Sequence, residues 1–267
     1  MRYWARHFLL ALQFLTRIPV TGRLADWVGY SSAMLNASSA WFPAVGWVVG
    51  VFAALVMALA LAALPAGPAG ALAAAALATA ATVGLTGGFH EDGLADTADG
   101  LGGGATRERA LAIMKDSRIG SYGTLALVLA LLLKVLLLAL IAQRGAWPAA
   151  AALLAAHALS RLAPLVVMRT LPYAGDAGQA KAKPLAQAIS GRGFTIGFPW
   201  SIPALALMGQ AQGATHLIVA LLLWALALAA MLRLLRRRLA GFTGDTLGAT
   251  QQVCELAIYL GLALSWP

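Results

Sequence analysis

Six of the ten acidic residues in this 267-residue chain fall between residues 88 and 123: Glu91, Asp92, Asp96, Asp99, Glu108 and Asp116. The stretch opens as Gly88-Phe-His-Glu-Asp-Gly-Leu-Ala-Asp-Thr-Ala-Asp-Gly-Leu-Gly-Gly-Gly104, and its surroundings are apolar. On a helix, Asp92, Asp96 and Asp99 sit at i, i+4 and i+7 and fall within about 60° of one another, with Glu91 roughly 100° to the side. Two carboxylates ~6 Å apart repel by about 3 kcal/mol at an effective dielectric near 20. Such a group must raise the pKa values of its members or take up a cation. An all-oxygen donor set suits a hard cation, Mg²⁺ or Mn²⁺, rather than zinc. Mg²⁺ is commonly shared with substrate phosphates, which complete its coordination. The residue types therefore point to a metal-binding, phosphate-handling site, against the plainer reading of a solvated helix end.

Further candidates follow in the chain. Gly100 and Gly102 to Gly104 are expected to break the helix and to let backbone N–H groups approach a phosphate. Thr106 is the expected N-cap of a short helix over 107–117. Lys115 and Arg118 offer phosphate donors, and Asp116 offers another carboxylate. Asp245 stands in a Gly/Thr-rich helix opening, Gly241-Phe-Thr-Gly-Asp245, and suits a ligand or a base. Arg161 and Lys134 fall inside apolar stretches, where a charge is costly and has a function or a partner. His90, beside the acids, reads as a ligand less readily than they do. The glycine run lacks the G-K-[ST] of a P-loop, and Cys254 stands alone, so neither a disulfide nor a thiolate metal site is expected.

The elements that must hold these residues are membrane helices. The chain is 61% hydrophobic and 11% charged, where a soluble domain carries about 25% charged residues. Apolar stretches long enough to cross a bilayer lie at about 41–64, 69–89, 120–142, 147–169 and 214–235, with weaker ones at about 196–211 and 249–265. The expected fold is thus an all-α, polytopic helix bundle, a single domain over 1–267, of about seven spans. Three hairpins and one final crossing would put the long loops, 1–40, 90–119, 170–195 and 236–248, on one side. Counting Arg169 and Arg233 at the span ends, that side receives sixteen of the nineteen Lys and Arg; Lys134 and Arg161 fall within spans and Arg144 in an opposite turn. That asymmetry puts the long loops, and the acids with them, in the cytoplasm. The +9 charge is read as this bias and as attraction for a polyanionic substrate, not as nucleic-acid binding. The apolar run Phe8 to Leu15 is too short to span and reads as an interfacial or re-entrant segment. The Ala-rich run 69–82 favours close helix packing, and tryptophans 41, 47, 147, 200 and 266 fall near span ends, as in an interfacial belt. The loop with Asp176, Lys181, Lys183 and Arg192 reads as a basic flap.

The segment His90 to Gly104, followed by Ile113-Met-Lys-Asp-Ser-Arg-Ile-Gly-Ser-Tyr-Gly123, resembles the signature of the cobalamin synthase family, the adenosylcobinamide-GDP ribazoletransferases. The likeness extends to Leu12-Gln-Phe-Leu-Thr-Arg-Ile-Pro19, Phe42-Pro-Ala-Val-Gly46, Ser160-Arg161 and Thr243-Gly-Asp-Thr-Leu-Gly-Ala-Thr250. It implies a Mg²⁺-dependent enzyme of the bacterial inner membrane, in contact with its lipids. Such an enzyme joins adenosylcobinamide-GDP to α-ribazole or its 5′-phosphate and releases GMP. On that reading Asp92, Asp96 and Asp99 hold one or two Mg²⁺ ions with help from Glu91. Asp116 or Asp245 completes a second metal or orients the hydroxyl, and Lys115, Arg118 and Arg161 neutralise the pyrophosphate. A homo-oligomer is compatible with the sequence. Two rivals remain at this point: a CDP-alcohol phosphotransferase of phospholipid synthesis, whose motif differs from this one at Asp96, and a cation-coupled transporter.

Overall fold

In a bilayer every backbone N–H and C=O must find its partner inside its own segment, so apolar runs of this length fold as helices. The computed structural model describes residues 2–175 and 188–264. Three short helices come first, Arg2–Leu15 (α1), Gly22–Val28 (α2) and Ser32–Ser38 (α3). A 3-10 turn then leads into Phe42–Ala63 (α4), followed by Pro68–Thr86 (α5), Phe89–Gly103 (α6), Arg107–Met114 (α7) and Ser121–Ala142 (α8). Ala146–Ser160 (α9), Leu162–Thr170 (α10), Gly191–Gly197 (α11), Ile202–Gln212 (α12), Ala214–Leu239 (α13) and Gly244–Ala263 (α14) complete the order. Among the described residues the only β pairing is an isolated bridge between Tyr173 and Phe242. Asp176, Lys181 and Lys183 of the expected basic flap, and Trp266, lie outside the described residues.

Among the described residues, five stretches are long and apolar enough to cross a membrane: Ser32–Ala63, Pro68–Thr86, Ser121–Ala142, Ala146–Thr170 and Ala214–Leu239. The two weaker expected spans do not join them. α12 has 11 residues, about 17 Å at 1.5 Å per residue, short of a ~30 Å hydrocarbon core. α14 has the length, 20 residues, but Thr250, Gln251, Gln252 and Glu255 interrupt its apolar sequence. Its surroundings explain this: α14 is the central helix, packed against α6, α8, α9, α10 and α13. Its polar side chains meet other helices rather than lipid.

Small residues set the closest crossings. α4 lies on α9 through Gly46 and Gly50; a Cβ on the first would come 2.7 Å from Ala158 Cα, and on the second 2.8 Å from Leu154 Cα. This four-residue glycine spacing lets two membrane helices touch backbone to backbone. Arginines tie the helix ends. Arg144 donates to the carbonyls of Leu262, Ala263 and Leu264 at 2.7, 2.9 and 3.0 Å, satisfying the last turn of α14, which has no intrahelical donors. At the opposite end Arg238 donates to Leu101 O and Gly104 O, and Arg107 Nε to Leu239 O at 2.7 Å. The N-terminal helix, about 21 Å long, exposes Tyr3 and Trp4 and packs on α2, α3 and α4, as expected of a segment too short to span.

Candidate active site

The acids are presented by α6, which begins at a sharp reversal. Gly87 and Gly88 both have φ of 68°, a left-handed conformation that residues with a Cβ rarely adopt. Two such residues turn the chain out of α5 and start α6 immediately. Glu91, Asp92 and Asp96 then face a cavity of about 1070 Å³. The opposite wall comes from α1 to α3, with Leu10, Phe14, Arg17, Asp26 and Tyr30 among its residues; Ser117, Ile119 and Leu127 close it from the α8 side.

Asp245 reaches the cluster because α6 and α14 cross at glycines. A Cβ on Gly93 would sit 2.6 Å from Asp245 O, and one on Gly248 would sit 3.3 Å from His90 Cα. The α14 start is fixed by a reciprocal cap: Thr246 N donates to Thr243 Oγ1 at 3.3 Å and Thr243 N to Thr246 Oγ1 at 2.9 Å. Asp245 is the second residue of this helix. The charges feel one another. Burial, then Asp92, Asp245 and Asp99, push the Asp96 carboxyl up to about 7. Burial and the Asp92 charge push Asp245 up to about 6. Gly93→Ala is expected to pry this crossing open and cost about a hundredfold or more in activity, since ångström displacements at a reacting site carry that effect. The variant should still insert, which fluorescence-detected chromatography in detergent would check alongside the assay.

Glu91 is buried and divided in its contacts. Gln252 Nε2 donates to its Oε1 at 3.0 Å, whereas its Oε2 is buried without a hydrogen-bond partner. Behind Gln252 runs a buried polar chain. Gln252 Nε2 also donates to Gln251 Oε1, and Gln251 Nε2 donates to Ser160 Oγ and Glu255 Oε2, at 3.1, 2.9 and 2.6 Å. Lys134 Nζ lies 2.7 Å from Glu255 Oε1, with both side chains almost fully buried.

Several expected ligands have other employment. Asp99 accepts from Gly120 N at 2.7 Å and from Gly123 N at 2.8 Å, so its carboxylate caps the N-terminus of α8. A Cβ at either glycine would strike that carboxylate. Asp116 pairs with Arg118 at 2.6 Å on the surface; the Arg118 hydrogen bonds hold the Asp116 carboxyl down to about 2. Lys115 is exposed just past the end of α7. Arg161 is buried at the break between α9 and α10, donates to His157 O at 3.0 Å and faces the bundle interior rather than the large cavity. Neither Asp99, Asp116, Lys115, Arg118 nor Arg161 lines that cavity. The glycine run is a further correction. α6 continues through Gly103, and the glycines make room for neighbours: Gly100 for Met114, Gly102 for the Tyr122 ring, Gly104 for Ala110. They serve helix packing, not a phosphate loop. The expected cap at Thr106 is present, accepting from Arg109 N at 3.2 Å, on a helix that ends at Met114 rather than 117.

Among the described residues no three His, Cys, Asp or Glu side chains form a ready cage for a metal ion. The donor chemistry nevertheless fits Mg²⁺. Asp92 and Asp96 are oxygen donors on one wall, without an ion pair among the described residues, and burial followed by the neighbouring carboxylates raises the proton affinity of Asp96. Mg²⁺ is usually held by one or two carboxylates together with substrate phosphates and water.

Residues 7–263 match the family described as Cobalamin-5-phosphate synthase. A relative from Polaromonas naphthalenivorans, named adenosylcobinamide-GDP ribazoletransferase, is 57% identical over 99% of this chain and 100% of its own. Relatives of the same name from Albidiferax ferrireducens and Shewanella amazonensis are 55% and 47% identical. They cover 99% and 97% of this chain, and 99% and 95% of their own lengths. No solved structure matches the chain.

Proposed function

The chain belongs to the cobalamin-5-phosphate synthase family, and from that premise we propose that it transfers the adenosylcobinamide-phosphate moiety of adenosylcobinamide-GDP to α-ribazole or its 5′-phosphate. GMP leaves. The observation that carries this reading is a single cavity with three carboxylates, Glu91, Asp92 and Asp96, on one wall and apolar side chains of α1 to α3 on the other. A nucleotide diphosphate attached to a large, partly apolar corrinoid needs both surfaces. Relatives named for this transfer over nearly the whole chain favour it over phospholipid synthesis and over transport.

In the transfer a ribose hydroxyl of the ribazole attacks the phosphorus that carries the corrinoid arm. The new O–P bond forms as the bond from that phosphorus to the oxygen of GMP breaks. Glu91, on the cavity wall and fixed through the Gln252 bond on Oε1, takes the hydroxyl proton. Asp92 and Asp96 would hold Mg²⁺, with Asp245 adding charge from α14. A metal held by these carboxylates would supply positive charge to offset the negative charge of the pyrophosphate and the leaving phosphate. The protein's remaining work is alignment and exclusion of water. By the bias of its arginines and lysines, the end of the bundle that carries α6 faces the cytoplasm of the cell.

Purified chain supplied with adenosylcobinamide-GDP, α-ribazole and Mg²⁺ is expected to release one GMP per corrinoid joined, and to stop when the metal is chelated. A preparation that binds Mg²⁺ and inserts normally but releases no GMP would contradict the reading.

A further inference from the structure

The pyrophosphate must enter a cavity lined by four acids, Asp26, Glu91, Asp92 and Asp96. A metal offsets part of that repulsion, yet phosphate sites also need fixed cations. The three expected ones, Lys115, Arg118 and Arg161, do not line it. Among the described residues that do, only one is basic: Arg17. We propose that Arg17 binds the diphosphate of the nucleotide-activated substrate, an assignment that rests on the function proposed above.

The side chain is built into place without being used up. Thr16 Oγ1 donates to Leu12 O at 2.7 Å and accepts from Ile18 N at 3.2 Å, which fixes the exit from α1. Arg17 N donates to Leu85 O at 2.7 Å, so the residue is pinned to the last turn of α5. Its guanidinium lies across Gly87; a Cβ there would overlap it, 2.8 Å from Cζ. Gly87 therefore serves twice, in the left-handed turn that starts α6 and as the floor on which the guanidinium rests. That floor is four residues from Glu91 and five from Asp92. Arg6, Arg107, Arg118, Arg144, Arg161 and Arg238 all spend their guanidinium groups on the protein itself. Arg17 is exposed, and its side chain makes no hydrogen bond or ion pair among the described residues. A planar fork of donors, held against one wall of an acidic cavity and left unpaired, matches two adjacent phosphate oxygens. A lysine at this place would supply charge without the fork.

The test compares wild type with Arg17→Ala, Arg17→Lys and Gly87→Ala. Steady-state kinetics would be measured for each substrate, and GDP binding by calorimetry in detergent. Arg17→Ala is expected to raise the KM for adenosylcobinamide-GDP and the Kd for GDP by about tenfold or more, the weight of a charged hydrogen bond. The KM for α-ribazole should stay unchanged. Arg17→Lys should fall between the two, and Gly87→Ala, with Arg17 intact but displaced, should move the same constants as Arg17→Ala. An active wild type with Arg17→Ala unchanged in KM and GDP affinity overturns this assignment alone. So does an equal loss for both substrates in Arg17→Ala and Arg17→Lys with a lowered melting temperature, the mark of a structural role. A wild type that releases no GMP overturns the functional reading, and this assignment with it.

Discussion

Asp96→Asn is expected to abolish turnover, by about a thousandfold or more, while making the cation-free protein more stable. The first effect follows if Asp96 supplies one of two carboxylates to a metal whose electrostatic contribution is several kcal/mol. The second follows from its surroundings. Burial and the charges of Asp92, Asp245 and Asp99 raise its carboxyl to about 7, well above the unfolded value near 3.9. Between those values the folded chain binds more protons than the unfolded chain, so stability falls as pH rises through this window and is lowest above it. Asp245, at about 6, acts in the same direction. Thermal unfolding in detergent with chelator should therefore give wild type a higher Tm near pH 5 than near pH 8. Asn at 96 should flatten that slope and raise the pH 8 value, and Mg²⁺ should stabilise wild type but not the variant. Because the metal must displace the Asp96 proton, the Mg²⁺ needed for half-maximal rate should climb as pH drops below about 7. A variant with full turnover, or one less stable than wild type in chelator at pH 8, would count against this role.

Lys134→Met should cost the bundle several kcal/mol of stability. Lys134 and Glu255 are paired at 2.7 Å with side chains 2% and 1% exposed. Removing one member strands the other, at about 3–5 kcal/mol, whereas removing both is often near neutral. Of the groups around them, Arg161 and Glu91 keep one charge of each sign if Lys134 and Glu255 are both replaced. Lys134→Met combined with Glu255→Met is therefore expected to recover more than half of the loss in a denaturation series. The pair also backs the site: Glu255 holds Gln251, Gln251 accepts from Gln252, and Gln252 holds Glu91. The single variant should accordingly lower kcat even at temperatures where it stays folded. Equal stability of Lys134→Met and wild type would show that the pair is not carrying this load.

Much of this was legible in the sequence where the signal is local. The helical spacing of Asp92 and Asp96, the cap at Thr106 and the helix opening at Asp245 are short-range patterns, and the structure contains all three. Asp99 shows where such patterns stop. Its i+7 position gives its face, but not that the amides of Gly120 and Gly123, more than twenty residues on, take both its oxygens. The glycines after it read as a flexible turn because type alone does not distinguish freedom from room. Only the neighbours, Met114, Tyr122 and Ala110, show that room was the need. α14 looked like a weak span because Gln251, Gln252 and Glu255 lower its hydropathy; those residues are polar because the helix is enclosed by others. Arg17 belongs to a stretch that the family likeness covers, yet its type reads first as a topological charge. Its place beside Gly87 depends on α1 folding back against the α5–α6 turn, a contact across seventy residues that periodicity does not reveal. The Gly46 and Gly50 pair carries its four-residue spacing openly in the sequence, and the structure shows the helix it meets.

The claim on which all of this depends is that carboxylates from α6 and α14 act together on one cation beside a nucleotide diphosphate. Mn²⁺ binding followed by electron paramagnetic resonance, with GDP present, tests it directly. Wild type should remove Mn²⁺ from the free signal in a saturable way, Asp92→Asn and Asp96→Asn should lose that binding, and Asp245→Asn should weaken it. Unchanged Mn²⁺ affinity in Asp92→Asn and Asp96→Asn would contradict the account.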